Sequence, residues 1–488
     1  MMGPAPAAWI GASAALVSEW KPLMPAPIRD DMDILDPAVL GAVVDGELRL
    51  SPAQAMRLYH EMGIHDLGRW ADARARRLHG DRIRTYVIDR NINYTNVCTA
   101  KCTFCAFRRD SHDGDAYTLE AERVLSKIAE LAEIGGTQIL MQGGMNPDLP
   151  LSWYLDLLQV IKAEFPLIHV HAFSPPEFIE FVRFFDPPGD TLEARLRVIM
   201  AQMQQAGLDS IPGGGGEIFA DAVRRKIGLG KCDAEQWLTT MRVAHELGMN
   251  TSATMMFGHI EGVADRIHHF ELIRQWQDRS IADFATDGGG RYKAFIAWPF
   301  QRENTPLGRC REWGQDQDPH EPFPGDIVAS LDGTGEKSEH PDFGRYVRMA
   351  GASEYLRTQA LSRLYLDNVY SIGASWVTMG AQIGQVGLRY GANDMGSVMM
   401  EENVVSAAGT TYCLNEPMLC RLIREAGFIP AQRNNEYNLL SVHAFDDAPD
   451  LAVTDWSSLR TARLHVEGED QPDPPVPTVE ITMSAAKK

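Results

Sequence analysis

Short β-branched runs alternate with amphipathic helical patterns along most of this chain, and that alternation limits its possible folds more than any other feature. Residues 85–93 (TYVIDRNIN) read as a strand, followed by a helical face bearing Val124, Leu125, Ile128, Leu131 and Ala132. Residues 137–142 come next and end at Gly143-Gly144, before a helix with Tyr154, Leu157, Leu158 and Ile161 at i, i+3, i+4 and i+7. The strand series continues through 168–173, 250–257, 293–300 and 371–378, with weaker candidates near Leu208 and Ser397. The helix ahead of Asn250 carries its own punctuation, Asp233 as N-cap with Gln236 three residues on and Gly248 as a stop. Each strand is bridged to the next by a helix, so parallel pairing through right-handed crossovers is the economical topology. The expected fold is α/β, a (β/α)8-like TIM barrel with N- and C-terminal extensions and an inserted polar loop.

The barrel is expected over residues 51–440. Residues 1–50 are expected to form a partly disordered extension, and 441–488 a tail with a disordered, proline-rich end. Residues 303–350 are polar and turn-rich over more than 40 positions, which inside a compact domain reads as an insertion. The 46 basic and 66 acidic residues leave a formal charge of −20, so the average surface repels a phosphate backbone or an anionic membrane. Nucleic acid is therefore not an expected partner. The weakly apolar run at 4–17 is too short to span a bilayer and has nothing basic ahead of it, so neither membrane insertion nor secretion is expected. A cytoplasmic protein is the resulting expectation.

Seven cysteines are few for 488 residues and do not suggest a disulfide framework. Three of them cluster as Cys98-Thr-Ala-Lys-Cys102-Thr-Phe-Cys105, immediately after the first expected strand. Thiolates are the usual ligands of a four-iron cluster, and a purely electron-carrying cluster takes four. With three close by, a loop this compact can hold three corners and leave the fourth iron open to a small molecule. A zinc site remains the alternative, with Cys102 and Cys105 as one half and His112 further on, although zinc more often uses paired C-x2-C units. Cys232, Cys310, Cys413 and Cys420 read as ordinary buried thiols.

On these residues the chain resembles the radical S-adenosylmethionine superfamily, whose motif is C-x3-C-x-aromatic-C, with Phe104 in the aromatic place. The resemblance implies a [4Fe–4S] cluster on Cys98, Cys102 and Cys105, with S-adenosylmethionine chelating the fourth iron. It further implies that Phe104, Phe107, the Gly143-Gly144 turn and Ser174 meet that cofactor, and that a low-potential donor such as flavodoxin or ferredoxin supplies the electron. Segment 169–177 (HVHAFSPPE) brings His171, Ser174 and Glu177 to the rim of the third expected strand, where barrel enzymes put functional groups. By strand alternation His169, His171 and Phe173 are expected on one face.

A narrower resemblance, to the cyclase family that acts on dehypoxanthine futalosine in menaquinone synthesis, covers about residues 50–440. It rests on 91–96 (NINYTN), 207–217 (GLDSIPGGGGE), 254–259 (TMMFGH), Trp298-Pro-Phe, Trp376-Val-Thr, and 391–394 (GAND) through 401–409 (EENVVSAAG). It implies a nucleoside-derived small-molecule substrate, hydrogen abstraction from its ribose and ring closure within one bound molecule. His171, Glu177, Asp209, Asp394 and Glu402 are the candidate catalytic residues. The glycines at 213–216 are candidates for presenting backbone N–H groups to a polar ligand. Aminofutalosine synthase and the tyrosine-using subunit of FO synthase share parts of these motifs, and an iron–sulfur electron carrier is the alternative from another class.

Overall fold

The computed structural model describes residues 25–29, 31–284, 288–309, 349–410 and 412–444. Most of the expected insertion and the ends of both extensions lie outside the described residues.

The alternation builds a closed ring of parallel staves. Gln138–Met141 pairs with Asp89–Ile92 on one side and His169–Ala172 on the other. Thr251–Phe257, Tyr292–Pro299, Ser371–Gly373 and Asp394–Ser397 follow in order, and the last returns to Ile83–Val87. The gap between His169–Ala172 and Thr251–Phe257 is filled by Ser210 and Ile211, which bridge to His171 and Thr251. Counting that two-residue stave near the weak candidate at Leu208, eight staves close the barrel.

Helices cover the outside because their apolar stripes have only the barrel to bury against. Tyr154, Leu157, Leu158 and Ile161 of Leu151–Glu164 are all buried as their spacing requires, each such aliphatic side chain stabilising the fold by roughly 1.5–3 kcal/mol. Asp233 and Gln236 form the expected reciprocal cap of Ala234–Glu246, and Gly248 takes φ +82° just beyond its end. In Ala121–Glu133, Val124, Ile128 and Leu131 are buried, whereas Ala132 is exposed and Lys127 is buried. Lys127 departs from the apolar pattern because its ammonium lies 3.0 Å from the buried Glu401 carboxylate, which Arg90 also engages.

Two strand expectations are corrected by closure of the ring. The single strand expected over 85–93 is broken at Ile88 into Ile83–Val87 and Asp89–Ile92, because each half serves a different neighbour. The strand expected over 371–378 stops at Gly373, and Trp376–Met379 is a helical turn whose indole donates to the Ser397 carbonyl. Inside the expected N-terminal extension, Pro37–Asp45 is a helix capped by Asp36, with Leu40, Val43 and Val44 buried. The expected boundary at residue 440 cuts a hairpin, since Ile429–Arg433 pairs antiparallel with Leu439–Val442 and parallel with Ile83–Val87. That hairpin supplies Arg433, Asn435 and Tyr437 to the interior.

Candidate active site

The staves enclose a chamber of about 480 Å³, with the cysteine loop in its wall and the hairpin residues Arg433, Asn435 and Tyr437 contributing to its lining. The loop is laced to the body by backbone bonds, Cys98 N–H to Arg109 O, Lys101 N–H to Leu229 O and Thr103 N–H to Ile227 O. Cys98, Cys102 and Cys105 are free thiols and all three line the chamber. Burial pushes the Cys98 thiol up and the Cys102 thiol up to about 12. Three free thiols on one compact loop, facing one cavity, fit three corners of an iron–sulfur cluster.

Phe104 and Phe107 also line the chamber. The Lys231 ammonium stands 5.1 Å from the centre of the Phe104 ring and is paired with Glu217 at 2.8 Å. Burial works against the charge on Lys231, but Glu217 and Cys102 outweigh it, so its pKa lies above the ordinary lysine value.

Gly143 and Gly144 line the chamber beside the cysteine loop, and their missing side chains also serve the packing. A Cβ on Gly144 would stand 2.0 Å from the Val97 carbonyl oxygen, and one on Gly143 would stand 2.5 Å from the Tyr94 ring. Their N–H groups donate to Thr95 O and to Glu177 Oε1. The missing side chains therefore let the strand end sit against the segment that leads into the cysteine loop. In 213–216 the polarity is reversed: Thr254, Trp237 and Arg224 donate to the four glycine carbonyls, and Gly213, Gly214 and Gly215 line the chamber.

The candidate acids divide into groups. Glu177 is buried and accepts from Tyr94 OH, Gly143 N–H and both the N–H and hydroxyl of Ser174. It is a four-way clamp and its pKa is raised by burial; Ser174 spends its hydroxyl on it. Asp394 is held by both arms of Arg433 at 2.6 and 2.9 Å, as well as by Thr85, and so anchors the hairpin. Glu402 lines the chamber and accepts from Asn91 at 2.9 Å and from the N–H groups of Val404 and Val405. Asp209 is not among the chamber residues; it is ion-paired with Lys162 at 2.5 Å and accepts from Val170 N–H. His171 does line the chamber, and burial drives its imidazole down to about 3. Phe173 leaves the expected histidine face, because its backbone takes φ +59° and its ring joins Tyr94, Tyr154, Phe178 and Phe181.

Other chamber residues escaped the sequence reading. Asp89, Asn91 and Asn93 alternate along the first stave and all line the cavity, a period of two that could have marked them. Asn91 Oδ1 and Gln138 Oε1 are buried acceptors without a hydrogen-bond partner. Such atoms are costly unless a ligand or water satisfies them. Gln138, Lys231 and Lys293 carried no local signal, since only the closed ring brings them together.

A closed parallel barrel with three free thiols in the loop after its first stave defines an enzyme of the iron–sulfur, radical-generating class. Residues 92–273 match the Radical SAM superfamily and residues 343–444 match the CofH/MqnC C-terminal region. The chain belongs to the radical S-adenosylmethionine superfamily, and its cofactors are a [4Fe–4S] cluster and S-adenosylmethionine. It is 37% identical over 409 residues to the cyclic dehypoxanthine futalosine synthase of Halalkalibacterium halodurans, covering 84% of this chain and 95% of that one. The enzyme of the same name from Streptomyces coelicolor is 38% identical, with 85% and 90% covered. Aminodeoxyfutalosine synthase of Thermus thermophilus is 33% identical, with 82% and 94% covered. Methylornithine synthase (PylB) shares the fold, with a TM-score of 0.52 at 16% identity, covering 80% of this chain and 97% of that one. No described helix is long and apolar enough to cross a membrane.

Proposed function

We propose that the chain is a radical cyclase that converts dehypoxanthine futalosine to its cyclic product in menaquinone synthesis. The observation that carries this reading is the chamber, which the thiol loop lines together with the polar side chains of Asp89, Asn91, Gln138 and Glu402. The similarity to the two cyclic dehypoxanthine futalosine synthases supports it. Cys98, Cys102 and Cys105 would hold the cluster, which with S-adenosylmethionine would supply a 5′-deoxyadenosyl radical able to take a hydrogen from a ribose carbon. The chain's part is to hold, orient and exclude water. Asn91 Oδ1 and Gln138 Oε1 accept from hydroxyls of the substrate, and the amides of Gly214 and Gly215 meet its polar end. Trp298 offers an apolar wall to the aromatic ring. Ring closure inside one bound molecule then needs little beyond conformational restraint, which replaces a bimolecular encounter. A flavodoxin or ferredoxin is the expected electron donor.

The test is anaerobic incubation of the reconstituted, reduced enzyme with dehypoxanthine futalosine, with the substrate of aminofutalosine synthase, and with tyrosine plus the deazaflavin precursor, each in turn. Cyclised product from the first alone is expected. Turnover of only the second or third would reject the assignment, and an absence of 5′-deoxyadenosine under every condition would mark an electron carrier.

A further inference from the structure

Cyclisation onto an aromatic ring ends with a proton to be removed from the substrate inside the chamber. Within the chamber wall, His171 has its Nε2 3.5 Å from the hydroxyl of Ser252, another chamber residue, and turns its Nδ1 away. Nδ1 lies 2.6 Å from Ser210 Oγ, and the same oxygen lies 2.6 Å from His169 Nε2. The register of the barrel makes this arrangement. His169 and His171 are two apart on one strand and so share a face, and Ser210 bridges to His171 from the adjoining stave. His171 is buried and lines the cavity, whereas His169 is half-buried and lies outside it.

The direction of the chain is set by Asn435 of the hairpin. Its amide N–H donates to His169 Nε2 at 2.9 Å and to Ser210 Oγ at 3.1 Å. His169 Nε2 is thus an unprotonated acceptor, so the Ser210 hydroxyl donates to it. Ser210 Oγ in turn accepts from His171, whose Nδ1 carries the proton. Every donor points away from the chamber.

We propose that His171, Ser210 and His169 form a proton exit through the barrel wall, an inference that rests on the cyclase reading because that reaction gives up a proton inside the chamber. The proton leaving substrate carbon is taken up at His171 Nε2, while Nδ1–H passes to Ser210 Oγ. The serine proton passes to His169 Nε2, and His169 releases its Nδ1 proton to water. One proton enters and one leaves, and the single electron that the cyclised radical gives up alongside it would pass separately to the oxidised iron–sulfur cluster held at Cys98, Cys102 and Cys105. Burial keeps both imidazoles neutral between turns. The charged groups acting on His169 are Asp209, Glu436 and Lys162, and those acting on His171 are His169 and Arg433. The two carboxylates favour a passing positive charge at the outer end, and Arg433 discourages its return inward.

The experiment compares wild type with Ser210→Ala, Ser210→Thr and His169→Gln, after confirming that each reconstitutes its iron. Ser210→Ala and His169→Gln should lower kcat for cyclised product by about tenfold to a hundredfold with KM unchanged. 5′-Deoxyadenosine should then accumulate in excess over product, and Ser210→Thr should restore the wild-type ratio. His169→Gln keeps the test open if Ser210→Ala does not fold. Wild-type kcat and an unchanged nucleoside-to-product ratio in both hydroxyl-free and imidazole-free variants would overturn the exit. If wild type turns over a different substrate among the three candidates, the cyclase assignment fails and the exit that rests on it fails too, whereas wild-type cyclisation with unaffected variants overturns the exit alone.

Discussion

The ammonium of Lys231 sits 5.1 Å from the centre of the Phe104 ring, which places a half-buried cation against the aromatic residue of the cysteine motif. The contact joins residues far apart in the chain, and the backbone bonds from Lys101 and Thr103 to Leu229 and Ile227 run beside it. A positive charge here stabilises the reduced state of a neighbouring cluster. Lys231→Met should make the cluster harder to reduce, by on the order of 100 mV for a unit charge in a partly screened interior. Glu217 retains Arg224 at 3.7 Å, so the fold should persist. A redox titration followed by electron paramagnetic resonance measures this shift, and an unchanged potential would remove Lys231 from any role in tuning.

Gly144 provides a second test. A methyl group 2.0 Å from Val97 O has no room, and the obstacle is backbone rather than a side chain that can swing aside. Gly144→Ala should displace the segment entering the cysteine loop and cut iron incorporation to less than about half, while helix content measured by circular dichroism stays at the wild-type level. Full iron loading would show that the strand end tolerates the shift.

Glu177 lines the chamber and accepts four hydrogen bonds, so its loss should be felt first in stability. Replacing it with Gln turns one of its two acceptor oxygens into a donor facing other donors, a cost of about 1–3 kcal/mol for each group left unsatisfied. Glu177→Gln is expected to unfold at a lower temperature and yet still release 5′-deoxyadenosine once loaded with iron. Loss of all cleavage in a variant of wild-type stability would return Glu177 to the chemistry.

Acid should destabilise the protein through its buried histidines. His245 is bonded at 2.8 Å to both Ser280 and Thr251 hydroxyls, and burial drives it down to about 3, as it does His171. In the unfolded chain such a group titrates near 6.5. The folded state thus binds fewer protons below that value, and the stability present above pH 6.5 is lost progressively as pH falls toward 3. Unfolding temperatures taken at pH 7.5, 6 and 5 should decline, with a shallower decline in His245→Gln. A slope identical to wild type would mean that His245 is not among the groups responsible.

Alternating strands and helices, and three thiols within eight residues, are local patterns. The amino-acid sequence by itself therefore determined the barrel class, the position of the cluster loop after the first stave, and helix features such as the Asp233–Gln236 cap. Tertiary structure decided which polar groups share the chamber. Arg433 reaches Asp394 across 39 positions, Asn91 reaches Glu402 across 311, and Asn435 reaches Ser210 across 225. Asp209 and Phe173 read as neighbours of the site in one dimension yet face elsewhere, one held by Lys162 and the other turned by a left-handed backbone. The physical reason is that periodicity is set within a few residues by backbone geometry. The partners of a buried polar group are chosen only when the ring closes and every donor enclosed by it must find an acceptor.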